Sequence, residues 1–342
     1  MSPFRLLFVC KKRSTYWGDS YASEISTGLG NSVRYLVDML NASGVPAAAA
    51  EVADNNGIQA QIVKFNPTHV IVEALWVVPS KFTILRSLYP RIQWAVRLHS
   101  NLPFLSHEGM ALDWIAGYLA QPIEIMCNST LLQADLRQVA DDFGRPEALI
   151  TYGPNYYPPS SSFSPAPAQL HIGCFGAIRP LKNQLAQAVA AIAFSNQVNR
   201  RLYFHINGGR LEGAAGPILR NIRALFAGSV GIPHVLIEES WLPHDRFLAL
   251  LATMSLAMQV SFTETFNLVA ADGVSVGVPT VVSPAISWLG AYAQADPANT
   301  RSITAALISA NVQNRPSRAA DQVRDLTTWA LMSMAIWLGR FA

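Results

Sequence analysis

SFTETFNLVAADGVSVGVPTVVSP, residues 261–284, decides the reading of this chain, because it sets Glu264 and Asp272 around one short helical segment. Ser261 to Asn267 is a loop of small and polar residues, and the apolar run Leu268 to Ala271 reads as the first turns of a buried helix. Glu264 then stands at a helix mouth, where unpaired backbone N–H groups attract anions. Asp272 lies deeper in the same helix. GVPTVVSP, residues 277–284, reads as a Gly–Pro turn feeding a short buried strand, so the whole piece is the helix-to-strand half of an α/β unit.

LHIGCFGAIRPLKNQLAQAVAAIAF, residues 170–194, reads as an apolar strand, a glycine-bearing loop and a helix with alanine and leucine at helical spacing. Arg179 and Lys182 stand at the loop-to-helix junction. Basic residues oppose the helix dipole there, so they ask for an anionic partner or carry a small cost. Cations beside helical N–H donors form a seat for a diphosphate, and a pair of carboxylates holds hydroxyls. Together they suit a sugar nucleotide. Taken singly, the acids also read as ordinary helix charges and the bases as solvated residues.

At these residues the chain resembles the retaining nucleotide-sugar glycosyltransferases of the GT-B fold (glycosyltransferase group 1, family 4-like), which include bacterial mannosyl- and glucosyltransferases. The match lies mainly in the second half. The family's Glu, seven residues and second Glu are met here by Glu264, seven residues and Asp272. The resemblance implies that Glu264 contacts the transferred sugar as a catalytic residue and that Asp272 contacts the ribose hydroxyls. It gives Arg179 and Lys182 to the diphosphate, and backbone N–H groups of Thr265, Phe266 and Asn267 to the donor's phosphates or sugar. It also implies a first-domain histidine facing the donor sugar. His99, at the end of the strand-like run Gln93 to Leu98, is the candidate ahead of His107, although a strand-end histidine also reads as structural.

SWLPHDRFLALL, residues 240–251, resembles the family segment whose backbone reads the base, with Trp241 and Leu242 nearest, and equally a capped helix entry. INGGR, residues 206–210, is a tight turn or a floor for the nucleotide at Asn207 and Gly208. Gly28 and Gly30, where the long loop after the first strand enters a helix, let backbone approach a ligand closely; within the resemblance Gly30 contacts donor phosphates or the acceptor. No third glycine completes a dinucleotide fingerprint, which disfavours a Rossmann oxidoreductase.

The 342 residues give room for more than one α/β domain, and 51% apolar against 14% charged residues suits covered parallel sheets. Strand-like runs at Leu6 to Cys10, His69 to Leu75 and Gln93 to Leu98 alternate with helical stretches, and residues 123–130 and 148–155 continue the βαβ order. The Pro- and Ser-rich stretch around 156–169 breaks it. The expected fold is α/β, two Rossmann-like domains facing across a cleft. They cover residues 1–157 on the acceptor side and 169–317 on the nucleotide-sugar side, with a linker at 158–168. A last helix within 318–342 is expected to cross back, as the family's does.

Cys10, Cys127 and Cys174 sit in apolar contexts without paired spacing and read as buried thiols of a reducing, cytoplasmic compartment. Leu6 to Cys10 is too short for a signal core, and no run is long enough to span a bilayer. Trp329 to Leu338 is a terminal helix packed on the protein, or a peripheral membrane contact. Charge is close to even: 12 Lys and Arg against 13 Asp and Glu up to residue 165, and 13 against 9 beyond. That balance weakens a nucleic-acid acceptor. Lys11, Lys12 and Arg13 are either an acceptor-side patch for a phosphate-rich partner, a hydroxylated base in DNA included, or a solvated loop. Glycan, lipid-linked sugar and small-molecule acceptors fit as well.

No Asp-x-Asp motif and no His/Cys cluster marks a metal, so cationic side chains must serve the leaving phosphate and no cofactor is expected beyond a UDP- or GDP-linked donor. The expected activity is metal-independent, retaining sugar transfer to a hydroxyl. A nucleotide-sugar epimerase of the same fold and a non-catalytic nucleotide-sugar-binding protein are the alternatives.

Overall fold

The computed structural model describes residues 3–12, 28–159, 165, 167–228, 231–312 and 315–341. They form two compact units, one of residues up to 158 together with 330–341 and one of residues 159–329. Arg13 lies outside the described residues.

The first unit is built on six parallel strands: β1 (Leu6–Lys11), β2 (Ala47–Val52), β3 (His69–Glu73), β4 (Gln93–Leu98), β5 (Glu124–Cys127) and β6 (Ile150–Tyr152). Their spatial order is β2-β1-β3-β4-β5-β6. The two-residue period of a strand explains why helices cover both faces. Leu7, Val9, Val72 and Val96 pack with Ile58, Phe82, Ile115 and Leu136 on one face. Leu6, Phe8, Ile71 and Ala95 pack with Val33, Leu36 and Trp337 on the other. The helix Gly28–Ala42 begins at Gly28, so Gly28 and Gly30 belong to its first turn rather than to the loop before it. Glycine is tolerated there because the first N–H groups of a helix have no intrahelical partner to lose.

The second unit holds β7 (Leu170–Gly173), β8 (Leu202–Ile206), β9 (Val235–Glu238), β10 (Leu256–Gln259) and β11 (Thr280–Val282), all parallel, in the order β11-β10-β7-β8-β9. Its core joins Ile172, Phe204 and Met258 to Phe194, Ile222 and Leu307 of the covering helices. The terminal helix Arg315–Phe341 contributes to both units: Phe266 packs on Trp329, while Trp337 meets Phe8 and Phe341 meets Phe4. Along Trp329 to Leu338, Ala330, Ser333 and Trp337 are buried while Leu331 and Met332 face outward. No described helix is long and apolar enough to cross a membrane.

Each sheet reverses its strand order once, between β1 and β3 and between β7 and β10. In open α/β sheets the carboxyl end of such a reversal is where ligands bind, because the loops leaving the two strands part there.

Candidate functional site

In the second unit the loops leaving β7 and β10 meet. After β7 the chain turns at Gly176, whose φ of 108° an L side chain rarely adopts. Asn207, just past β8, accepts the Gly176 N–H at 2.8 Å. The 3₁₀ turn Pro180–Lys182 then stops at Asn183 in the left-handed region, and the helix Gln184–Gln197 starts anew. Side chains of this junction stitch it to the loop after β10. Asn183 Nδ2 donates to the Val260 carbonyl at 3.2 Å, Gln187 Oε1 accepts the Val260 N–H at 2.9 Å, and Phe262 N–H donates to the Leu181 carbonyl at 2.9 Å.

That stitching brings Lys182 and Glu264 together: Nζ lies 2.5 Å from Oε1, with side chains only 13% and 8% exposed. Residues 82 apart in sequence thus share one ion pair. Arg179 lies beside it and pairs with Glu212 at 3.5 Å.

The helix after Glu264 runs Leu268–Ser275, so Glu264 stands in the loop before it, not at its first turn. The mouth itself is closed by Asn267, at φ 64°, whose Oδ1 accepts the Ala270 N–H at 2.9 Å. The side chain of Phe266 is fully buried, its ring near Trp288 and Trp329 and its carbonyl accepting from Trp288 Nε1. Of the three residues expected to offer N–H groups, Asn267 therefore spends its side chain on capping and Phe266 anchors the core. Asp272 is 4% exposed and meets His244 Nε2 at 2.9 Å. A solvent-facing helix charge is excluded for it.

His244 opens the helix that follows Trp241 and Leu242. The Arg210 guanidinium lies 4.2 Å from the Trp241 ring centre and donates to Glu212 Oε1 at 2.7 and 3.0 Å. Since Glu212 also meets Arg179, a continuous line of contacts runs from Trp241 to the loop after β7. Paired bonds between Ile178 and the 210–212 segment fix that line. Gly208 leaves room for Glu238: a Cβ there would overlap Glu238 Oε2, which pairs with Arg223, so the Glu238 side chain would have to shift.

In the first unit, the strand reversal opens into a cavity of about 230 Å³ lined by Lys11, Leu29, Glu73, Trp76, His99 and Glu108, among others. Lys11 and His99 share this cavity, Lys12 is exposed, and Gly30 lies next to the lining residue Leu29. His99 Nε2 is in short contact with Glu73, and Asn128 Nδ2 lies 3.2 Å from Nδ1. Glu73 is fully buried against Arg97, equally buried, at 3.3 Å. Burial alone would push the Glu73 carboxyl up, but Arg97 and His99 outweigh it and hold it below the usual carboxylate range. Burial pushes His99 below its ordinary value despite the attraction of Glu73.

Sequence reasoning passed over Glu73, Arg97, His244, Arg210 and Glu212. The first two carried a signal, since each is a charge near the end of a mainly apolar strand, HVIVE and QWAVRL. A fully buried charge implies a buried partner. The other three needed the fold, because His244 meets Asp272, Arg210 meets Trp241 and Glu212 meets Arg179, each from another loop or helix.

No described protein family matches the sequence, and no curated protein sequence matches it. Solved structures do match in fold. A sucrose-phosphate synthase from Thermosynechococcus elongatus shares 13% identity over 98% of both chains, with a TM-score of 0.67. A UDP-forming α,α-trehalose-phosphate synthase from Burkholderia vietnamiensis shares 10% over 98% of both, with a TM-score of 0.67. An E. coli trehalose-6-phosphate enzyme bound with UDP-2-fluoro glucose shares 11% over 98% of both, with a TM-score of 0.66. The chain has the two-domain α/β fold of these structures, GT-B.

Proposed function

We propose that the chain is a retaining glycosyltransferase that moves a sugar from a nucleoside diphosphate sugar to an acceptor hydroxyl. One observation carries the reading: Lys182 and Glu264 meet at 2.5 Å beside Arg179, at the carboxyl end of the second sheet's strand reversal. In this reading Arg179 and Lys182 hold the diphosphate, and Glu264 turns to the sugar hydroxyls. Asn207, Gly208, Trp241 and Leu242 floor the nucleotide, and Asp272 with His244 reads the ribose. Thr265, Phe266 and Asn267 lend backbone to the donor. The family resemblance assigns Gly30 to the donor phosphates or the acceptor and His99 to the transferred sugar.

The chemistry follows from charge. As the glycosidic bond to the diphosphate breaks, negative charge grows on the leaving oxygen, and fixed cations there lower the barrier. His99 is not a ready base, since its own nitrogens are engaged by Glu73 and Asn128. The departing phosphate oxygen takes the acceptor proton on the same face of the sugar, which retains configuration. Cations take the place of a metal, and the enzyme works in the cytoplasm without a divalent ion.

The neighbours named for sucrose-phosphate and trehalose-phosphate point to a phosphorylated sugar as acceptor. Lys11 on the His99 cavity, with Lys12 beside it, supplies charge for such a phosphate. UDP, present in one neighbour, is the first donor nucleotide to try. Thermal-shift titration with UDP, GDP and ADP and their glucose and mannose derivatives tests the donor half. A rise in Tm with at least one, lost in Arg179→Ala, is the expected result. No shift with any of them would remove the reading.

A further inference from the structure

We infer that Arg97 and Glu73 are a positioning pair for His99: they hold its imidazole neutral, with the proton on Nε2, and fasten that state to the segment Gly153 to Asn155. The functional weight of this pair rests on the proposed role of His99 at the sugar.

Arg97 and Glu73 face one another in register across β3 and β4. The guanidinium spends its donors fully: Nη1 on both Glu73 oxygens at 3.3 and 3.4 Å, Nε on the Gly153 carbonyl at 2.9 Å, and Nη2 on the Pro154 carbonyl at 2.9 Å and Asn155 Oδ1 at 2.6 Å. Trp337 donates Nε1–H to the same Pro154 carbonyl at 2.9 Å, and its ring lies 5.4 Å from the guanidinium carbon. An apolar side chain fills a sheet interior at lower cost than a buried ion pair. Stability alone therefore does not account for a charge at position 97.

Protonation does. A buried carboxylate with only an imidazole beside it would draw a proton onto that imidazole. Arg97 completes the charge balance, so Glu73 stays ionised and His99 stays neutral. Glu73 then selects the tautomer, because an ionised carboxylate only accepts and so needs the proton on Nε2, which leaves the Nδ1 lone pair facing Asn128 Nδ2. The backbone enforces the arrangement. Ala74, next to Glu73, is held at φ 69° by its N–H bond to the Arg97 carbonyl at 2.8 Å, while Trp76 Nε1 donates to the Glu73 carbonyl at 2.8 Å. Such strain persists where surrounding contacts over-determine it. Among the described residues, the other ionisable groups around are Lys11 and Glu108 on the cavity wall, Tyr152 near Arg97 and the Cys10 thiol; burial pushes the phenol and the thiol up and keeps both protonated.

Heteronuclear NMR on protein carrying isotopically enriched histidine tests this directly, with His99 assigned by the signal lost in His99→Gln. The wild-type protein is expected to show His99 neutral and protonated on Nε2 throughout about pH 5.5 to 8.5, a range in which an ordinary histidine titrates. In Arg97→Met the His99 signal should titrate within that range. In Glu73→Gln it should stay neutral but shift toward the Nδ1-protonated form, with kcat for sugar transfer down by about tenfold or more, the scale of losing an orienting partner. Donor KM should hold. A charged or Nδ1-protonated His99 in the wild type overturns the inference, and so does an unchanged His99 in folded Arg97→Met. The wild-type spectrum decides even if both variants misfold. Absence of any transfer activity would sink the enzymatic reading while leaving the spectral result to stand by itself.

Discussion

Replacing Lys182 by Met keeps the length of the side chain and removes its charge. Its partner Glu264 then keeps a carboxylate that is 92% shielded from water with no cation at 2.5 Å. Removing one member of a fully buried pair costs 3–5 kcal/mol. The slight exposure of both side chains brings the figure for Lys182→Met to about 2 kcal/mol, by the screening that weakens exposed pairs. For a unit of this size each kcal/mol moves Tm by roughly 2–4 °C, so calorimetry should show a fall of about 4–8 °C. Lys182→Met/Glu264→Gln leaves no stranded charge and should recover most of that loss. Transfer should not recover: losing a fixed charge at the leaving group costs about 10²- to 10³-fold in kcat, and the double variant lacks it too. The four proteins form a double-mutant cycle, read once by calorimetry and once by turnover. Strictly additive stabilities would refute the ion pair, and full turnover in Lys182→Met would refute the cation's role at the diphosphate.

The remaining expectations are brief. Gly208→Ala forces Glu238 off Arg223, a solvent-exposed contact, so chemical denaturation should show only a small loss of stability, while nucleotide affinity should fall more clearly because the loop after β8 must move. Asn267→Ala removes the cap on Ala270 and puts alanine at φ 64°, for a combined loss of about 2 kcal/mol or more, read as a lower denaturation midpoint. His69, His99, His171, His205 and His234 are all held below the ordinary histidine value, by burial first. The unfolded chain binds protons at a higher pH than the folded one, so stability is present above about pH 6.5 and drains as pH falls through the lower folded values; Tm recorded from neutral pH downward should decline. Glu73 adds to this at lower pH, since its depressed folded value makes its contribution vanish only in acid. Turnover should survive EDTA, and loss of activity rescued by manganese would contradict the cationic account of the leaving group.

The α/β alternation was legible because strand and helix leave different periods, and most sheet strands here are short apolar runs bounded by turn residues. β4 falls on Gln93–Leu98 as its apolar run predicts. The candidate site was legible only in part. Arg179, Lys182 and Glu264 stand out as charges in loops beside glycine and helix starts, but which acid meets which base is set by strand order. β10 lies next to β7 although much of the second unit separates them in sequence, and that adjacency pairs Lys182 with Glu264. The same limit hid Glu212, which reaches Arg179 only because the loops after β7 and β8 bridge at Ile178 and Leu211.

The pairing pattern bears on how a donor is held. Each charge singled out for the diphosphate or the nucleoside already faces an opposite charge or a histidine: Arg179 with Glu212, Lys182 with Glu264, Asp272 with His244. Under the proposed reading a diphosphate therefore does not enter a bare positive pocket; it exchanges with carboxylates. For Lys182 the exchange frees Glu264 from its cation at the moment the attached sugar presents hydroxyls to it. Under the proposed reading this makes the sugar part of the diphosphate's affinity. A nucleoside diphosphate alone takes Lys182 away from Glu264 in a nearly buried place, whereas the full donor also offers hydroxyls to Glu264. The same bookkeeping favours release of the product, since Glu264 reclaims Lys182 as soon as the sugar has left.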